Sequence, residues 1–130
     1  MILTPDVVQT IKMTDFTALV TINADGTPHL VAGWNCLPRE NDILVLSGER
    51  FIVTRRNLAR DPRVWVLVAS HSLNTGYRIS ASGRLSLDPA DLEVVHKYWP
   101  RCTFAILLTV EKVEDLVYWR NNSAPINSAS

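Results

Sequence analysis

Ala18-Leu-Val-Thr-Ile-Asn-Ala-Asp-Gly26, Pro28-His-Leu-Val-Ala-Gly33-Trp34-Asn35-Cys-Leu37, Ile43-Leu-Val-Leu-Ser47 and Thr54-Arg55-Arg56-Asn57-Leu58-Ala59-Arg60-Asp61-Pro62 follow one another and lead into Arg63-Val-Trp-Val-Leu-Val-Ala69. Three strand patterns, an arginine-rich helix start and a fourth strand are read from this stretch. From Phe16 the period is two: Phe16, Ala18, Val20 and Ile22 point one way, and Thr17, Leu19 and Thr21 the other. Asp25-Gly26 tolerates positive φ, so the strand Pro28 to Leu37 is expected to return antiparallel to the first. Pro38 to Asp42 reads as a polar turn before the strand Ile43 to Ser47, and Pro62 ends the basic helix ahead of Arg63 to Ala69.

Working outward, Thr4-Pro5-Asp6 supplies a helix cap, a first-turn proline and an acid, with Val7, Val8 and Ile11 as its apolar stripe. Thr75 to Leu87 is a long strand whose Ala81-Ser82-Gly83 suggests a bend or bulge. Asp88-Pro89-Ala90-Asp91 opens a helix to about Trp99, and Thr103 to Val110 is the last strand. Both Val64 to Ala69 and Thr103 to Val110 are apolar on two faces, which requires a helix or a second subunit to cover them. The expected architecture is mainly β: a six-stranded antiparallel barrel with short flanking helices over residues 1–117, then a partly mobile tail over 118–130.

The chain has 130 residues, enough for one domain with a real core. Lys+Arg and Asp+Glu both number 13, so the net charge is zero and the basic footprint of a nucleic-acid binder is missing. No basic segment precedes a long apolar run, so the expectation is a cytoplasmic protein with no membrane partner. Cys36 and Cys102 lie in different expected strands without metal-ligand spacing, and read as reduced, half-buried thiols; no metal site is expected.

Arg50, Arg55, Arg56, Arg60 and Arg63 form the chain's one basic cluster, offset by Glu49 and Asp61. A helix starting near Thr54 presents unpaired N–H groups and the positive end of its dipole, and a hydroxyl with guanidinium groups in that turn makes an anion site. Each charge-assisted hydrogen bond there contributes about 1.5–3 kcal/mol. The plainer alternative is a solvated helix face whose arginines pair with carboxylates. Gly33-Trp34-Asn35 puts a side-chain-free position beside an aromatic ring and an amide, so Gly33 admits a flat ligand or a neighbouring backbone and Trp34 stacks on a ligand or packs in the core or a dimer interface. Ser47-Gly48 offers a hydroxyl and a flexible backbone at a barrel rim, or a turn. His29, His71 and His96 have no evident partner, and no Ser/His/Asp, Cys/His or carboxylate pair suggests hydrolysis.

The order of Ala18 to His29, Val31 to Asn35, Ile43 to Ser47 and Thr54 to Val64, followed by Thr75-Gly-Tyr77 and Phe104 to Val110, resembles the FMN-binding split-barrel family, also called pyridoxamine 5′-phosphate oxidase-like. Within it the chain is similar to the small FMN-binding protein of sulfate-reducing bacteria. The resemblance runs from about Val8 to Leu116. It implies a split barrel that forms a homodimer, with FMN in a groove at the subunit interface and the second subunit covering the two-sided strands. Carried over, the ring lies along Val31, Ala32, Gly33, Trp34 and Asn35 and along Leu46, Ser47 and Gly48, and the phosphate lies at Val53, Thr54, Arg55, Arg56 and Asn57.

The family usually has a lysine, or an Arg-Lys or Lys-Thr pair, at the positions of Val53 and Thr54. Here Arg55 and Arg56 follow and Arg50 precedes, and one of them is expected to replace it. The substrate segment that ends the oxidase proper is not reproduced by Tyr118-Trp119-Arg120, so oxidation of pyridoxamine 5′-phosphate is not expected. Tyr118 and Trp119 are instead candidates to cover the ring from the partner subunit or to pack in the interface. The resemblance thus implies an FMN-binding electron carrier or small flavin-dependent reductase with a redox partner of unspecified kind. The alternatives are a split-barrel dimer holding another flat cofactor, a deazaflavin or haem, and a cofactor-free interaction protein.

Overall fold

The computed structural model describes residues 1–33, 36–49 and 51–117. Its elements run α1 (Pro5–Met13), β1 (Phe16–Ile22), β2 (Pro28–Gly33), β3 (Leu37–Arg39), β4 (Ile43–Ser47), α2 (Ile52–Arg60), β5 (Arg63–Ser70), β6 (Thr75–Ser86), α3 (Pro89–His96) and β7 (Ala105–Asp115). The first hairpin follows its turn chemistry. β1 and β2 pair antiparallel from Thr17↔Gly33 to Ile22↔Pro28, and Gly26 takes a φ of 86° that a side chain would strain. The Asn23 N–H donates to the Thr27 carbonyl, and the Asp25 carboxylate accepts from the Thr27 N–H, closing the turn.

All strand pairs are antiparallel, in the order β2-β1-β5-β6-β7-β4-β3. β2 and β3 sit at opposite ends of this sheet, yet only residues 34–36 connect them. A connection of that length reaches at most roughly 14 Å, so the sheet must curl until its edges approach, which makes a split barrel. The same connection corrects the strand count. The single strand expected from Pro28 to Leu37 is two, giving seven strands instead of six, because the chain leaves β1 at Gly33 and joins β4 at Leu37. Pro38 has no N–H to donate and is accommodated because β3 is an edge strand.

Asn41 and Asp42 adopt φ of 63° and 57° in the β3–β4 turn, and the Asp42 carboxylate accepts the N–H groups of Ile2 and Leu3, tying down the first residues. β7 runs to Asp115, beyond the expected end at Val110, because β6 is long enough to pair it through Tyr77↔Asp115. The register of that pair shifts between Ser80 and Ala81, beside the expected bend. α3 stops at His96, short of Trp99, with Pro100 close behind. The tail assigned to 118–130 lies outside the described residues.

The barrel interior is built from Leu19, Leu44, Leu46, Val64, Val66, Val68, Ile79, Ile106 and Leu108, and α1 and α2 add Val7, Ile11 and Leu58 to it. In β1 the inward face is the one bearing Thr17, Leu19 and Thr21, all buried, since Leu19 pairs with the inward Val66. The outer face of β4 and β7 forms a second cluster of Val45, Ala105 and Leu107 with Val95 of α3, so a helix covers this two-sided strand. β5 is different. Its outward Trp65, Leu67 and Ala69 continue an apolar face across Phe16, the buried Ala18 and Val20 of β1 and Leu30 and Ala32 of β2, with Leu30 67% and Phe16 50% exposed.

Candidate cofactor site at the start of α2

α2 begins at Ile52, two residues before the expected Thr54, and no side chain caps it. Helix geometry leaves the first-turn N–H groups of Ile52, Val53 and Thr54 without an intrahelical acceptor, so this end carries unneutralised positive dipole. Thr54 is buried, which takes its hydroxyl out of the exposed turn, whereas Val53, where the family resemblance leads one to expect a cation, is exposed. Arg56 is exposed one turn along from Ile52, and no carboxylate pairs with it among the described residues.

Other members of the arginine cluster have structural work. The buried Asn57 donates through Nδ2 to Thr21 Oγ1 at 3.0 Å and to Asn23 Oδ1 at 3.1 Å. Arg60 donates to Asn57 Oδ1 at 2.9 Å and to the Ile22 carbonyl at 2.7 Å. Asn57, expected at a cofactor phosphate, is thus a brace between α2 and the β1–β2 hairpin. Arg63 forms a two-point pair with Asp61, whose carboxyl is held at about 2, first by the side-chain hydrogen bond from Arg63 and then by the Arg63 N–H. Arg55, half-buried, turns its guanidinium over the Phe104 ring, 5.0 Å from the centroid. Arg50 lies outside the described residues.

The two glycines expected to admit a flat ligand each admit a phenylalanine of the chain itself. A Cβ on Gly33 would sit 2.8 Å from Phe51 Cζ, and one on Gly48 would sit 2.3 Å from Phe104 Cε2. Gly48 also donates its N–H to the Phe104 carbonyl. Leu46 points into the barrel core, and Ser47 is buried with Oγ 3.4 Å from Cys102 Sγ. Val31 packs half-buried against the core, and Ala32 is exposed opposite Ala18. Trp34, Asn35, Tyr118 and Trp119 fall outside the described residues. The residues at the helix start fit a phosphate, whereas the glycine surfaces are already covered by aromatic rings.

Cys36 and Cys102 are buried rather than half-buried, and belong to different apolar clusters. Burial pushes the Cys36 thiol up to about 12, which keeps it an unreactive thiol at neutral pH. His96 places Nε2 2.7 Å from the Cys102 carbonyl, a partner that spacing did not suggest. A further cation near the helix start was missed from the sequence. Arg84 of β6 lines a pocket of about 540 Å³ together with Arg55, Phe104, Leu85 and Leu87. The signal for it was Gly83, read only as a bend: a Cβ there would lie 2.9 Å from Leu58 Cδ1, so the glycine is what lets α2 approach β6. Among the described residues no helix is long and apolar enough to cross a membrane.

Known proteins share this architecture. Group A Streptococcus HupZ matches with a TM-score of 0.76 at 16% identity, over 88% of this chain and 94% of its own. A candidate pyridoxamine 5′-phosphate oxidase of Lactobacillus delbrueckii matches with a TM-score of 0.73 at 21% identity, over 85% and 92%. An FMN-binding protein of Syntrophomonas wolfei matches with a TM-score of 0.72 at 11% identity, over 84% and 82%. Among curated proteins, none matches in sequence. Identities this low establish the split-barrel fold alone, but residues 3–116 also match the family model of pyridoxamine 5′-phosphate oxidase. The chain belongs to the pyridoxamine 5′-phosphate oxidase family.

Proposed function

We propose that this is an FMN-binding redox protein, an electron carrier or small flavin-dependent reductase, and not a pyridoxamine 5′-phosphate oxidase. The observation that carries the reading is the uncapped start of α2 in a chain of this family, with Arg56 exposed beside it. The first-turn N–H groups and Arg56 would bind the phosphate, and Arg56 thereby takes the part of the lysine replaced at Val53 and Thr54. A bound flavin supplies one- or two-electron chemistry at its ring. The chain's own part is to orient it and to set the polarity around it. A homodimer through the apolar face of β2, β1 and β5 belongs to the same proposal, since Leu30 and Phe16 have no cover within the described chain.

Absorbance of the purified protein and titration with FMN test the cofactor. A yellow protein that releases FMN on denaturation supports the proposal, and Arg56→Ala should then weaken FMN binding about tenfold while leaving riboflavin binding unchanged. In light scattering, Leu30→Asp should convert a dimer to a monomer. A second reading is favoured by Phe51 and Phe104, which fill the space at both glycines: a cofactor-free dimeric interaction protein that kept the barrel. A colourless protein that ignores added FMN, deazaflavin and haem establishes that reading and ends the first.

A further inference from the structure

We propose that the pocket between α2 and the end of β6 is a second ligand site, separate from the start of α2, that takes a small organic anion with an apolar body. Its construction begins at Gly83, whose missing side chain lets Leu58 pack against β6. Arg55 lies one helical turn before Leu58, and Arg84 directly follows Gly83, so this contact brings both guanidinium groups to one pocket of about 540 Å³. The volume suits a small organic molecule.

A second glycine fixes the first cation. Phe104 lies against Gly48 so closely that a Cβ there would meet its ring at 2.3 Å, and Arg55 in turn lies over that ring at 5.0 Å. Gly48, Phe104 and Arg55 form a stack that presents a guanidinium in a set place instead of on a freely moving side chain.

Charge gives the ligand its sign. Elsewhere in the molecule Arg39 pairs with Asp91, Arg63 with Asp61 and Arg78 with Glu114. Arg55 and Arg84 have no carboxylate partner among the described residues, and Arg84 reaches only the neighbouring Leu85 carbonyl, at 3.5 Å. The carboxylate that lines this pocket, Asp88, already accepts the Ala90 N–H as the cap of α3. The apolar half comes from the Phe104 ring and from Leu85 and Leu87, 48% and 73% exposed, which leave uncovered hydrocarbon beside two unpaired guanidinium groups. An aromatic or branched body carrying one carboxylate or phosphomonoester satisfies both halves.

The probe is phenyl phosphate, titrated into the whole chain and followed by the arginine Nε–H signals in NMR, with inorganic phosphate and benzyl alcohol as its two halves. Saturable shifts at Arg55 and Arg84 are expected, with each half binding at least tenfold more weakly. Arg84→Ala and Arg55→Ala should each weaken binding at least tenfold, and Arg84→Lys should restore part of it. Arg84 is exposed, so its variants keep the fold, whereas Arg55 is half-buried over Phe104 and the folding of its variant is checked by circular dichroism. Absence of shifts at Arg55 and Arg84, or an unaltered affinity in Arg84→Ala, overturns the proposal. So does inorganic phosphate binding as well as phenyl phosphate at the α2 amides, which would mark an adventitious ion only. If the protein takes FMN, phenyl phosphate should still bind to the FMN-saturated form, and displacement would make the pocket part of the cofactor site. A protein that takes no flavin but shows the Arg84-dependent shifts retains this site and loses the flavin reading.

Discussion

Replacing Asn57 by alanine separates a structural brace from a cofactor ligand. The side chain is 3% exposed and joins three partners: Thr21, Asn23 and Arg60. Two neutral hydrogen bonds contribute about 1 kcal/mol each. The bond from the largely exposed Arg60 adds a similar amount, and the Thr21 hydroxyl, at 0% exposure, is left without its donor. We expect Asn57→Ala to destabilise the protein by about 3 kcal/mol, which for a chain of this size lowers Tm by roughly 10 °C. The assay is thermal and urea unfolding of the cofactor-free protein, with Thr21→Val and the double variant completing a cycle whose coupling is expected to be about 1 kcal/mol. A cofactor-free Asn57→Ala protein that melts within about 2 °C of the original, but has lost affinity for FMN, would refute the brace and return Asn57 to the cofactor.

Gly48→Ala places a Cβ 2.3 Å from Phe104 Cε2 and 3.1 Å from its carbonyl oxygen, so it should cost about 1–3 kcal/mol and alter the near-ultraviolet circular dichroism of the displaced ring. Unchanged unfolding and spectrum would show that the ring does not rest there. Asp61, held at about 2, has a folded-state value below that of the unfolded chain, so its contribution to stability is fully present above about pH 4 and lost as pH falls through about 2. Asp61→Asn should therefore flatten the stability curve across that window in acid titrations followed by circular dichroism, and an identical curve would argue against the Asp61–Arg63 pair.

Much of the fold was legible where the signal is local. Asp25-Gly26 marked the first hairpin, Pro62 ended α2 and the apolar run of β5 marked a strand, because turn chemistry and period act over a few residues, whereas which of its two apolar faces turns inward was not legible. The break between Gly33 and Leu37 was not legible, since nothing nearby says that the chain changes sheet edges there, and Pro38 is tolerated only because no strand lies beyond β3. The threonine-bearing face of β1 turned inward for a similar reason: its register is set by Val66 and Val68 of a strand far along the chain. At the site, the arginines and glycines were visible, but their neighbours were not. Phe51 at Gly33, Phe104 at Gly48 and Leu58 at Gly83 are tertiary contacts, and Arg84 becomes relevant only through the last of them.

Those contacts explain why an apparently single basic cluster does several things. Helix geometry turns successive residues by about 100°, so Arg55 and Arg56, adjacent in sequence, cannot serve one small anion from the same direction unless their long side chains converge. Phe104 decides the matter for Arg55 by holding its guanidinium on the β6 side, while Arg56 stays on the exposed side with Ile52. Arg60 is withdrawn from anion binding by the Ile22 carbonyl and Asn57, and Arg63 by Asp61. The positive charge left for ligands is thus divided between two directions. A phosphate at the helix start and an organic acid at the β6 pocket would then depend on different arginines, and exchanging the phenylalanine at position 104, instead of either arginine, is the change that would merge them.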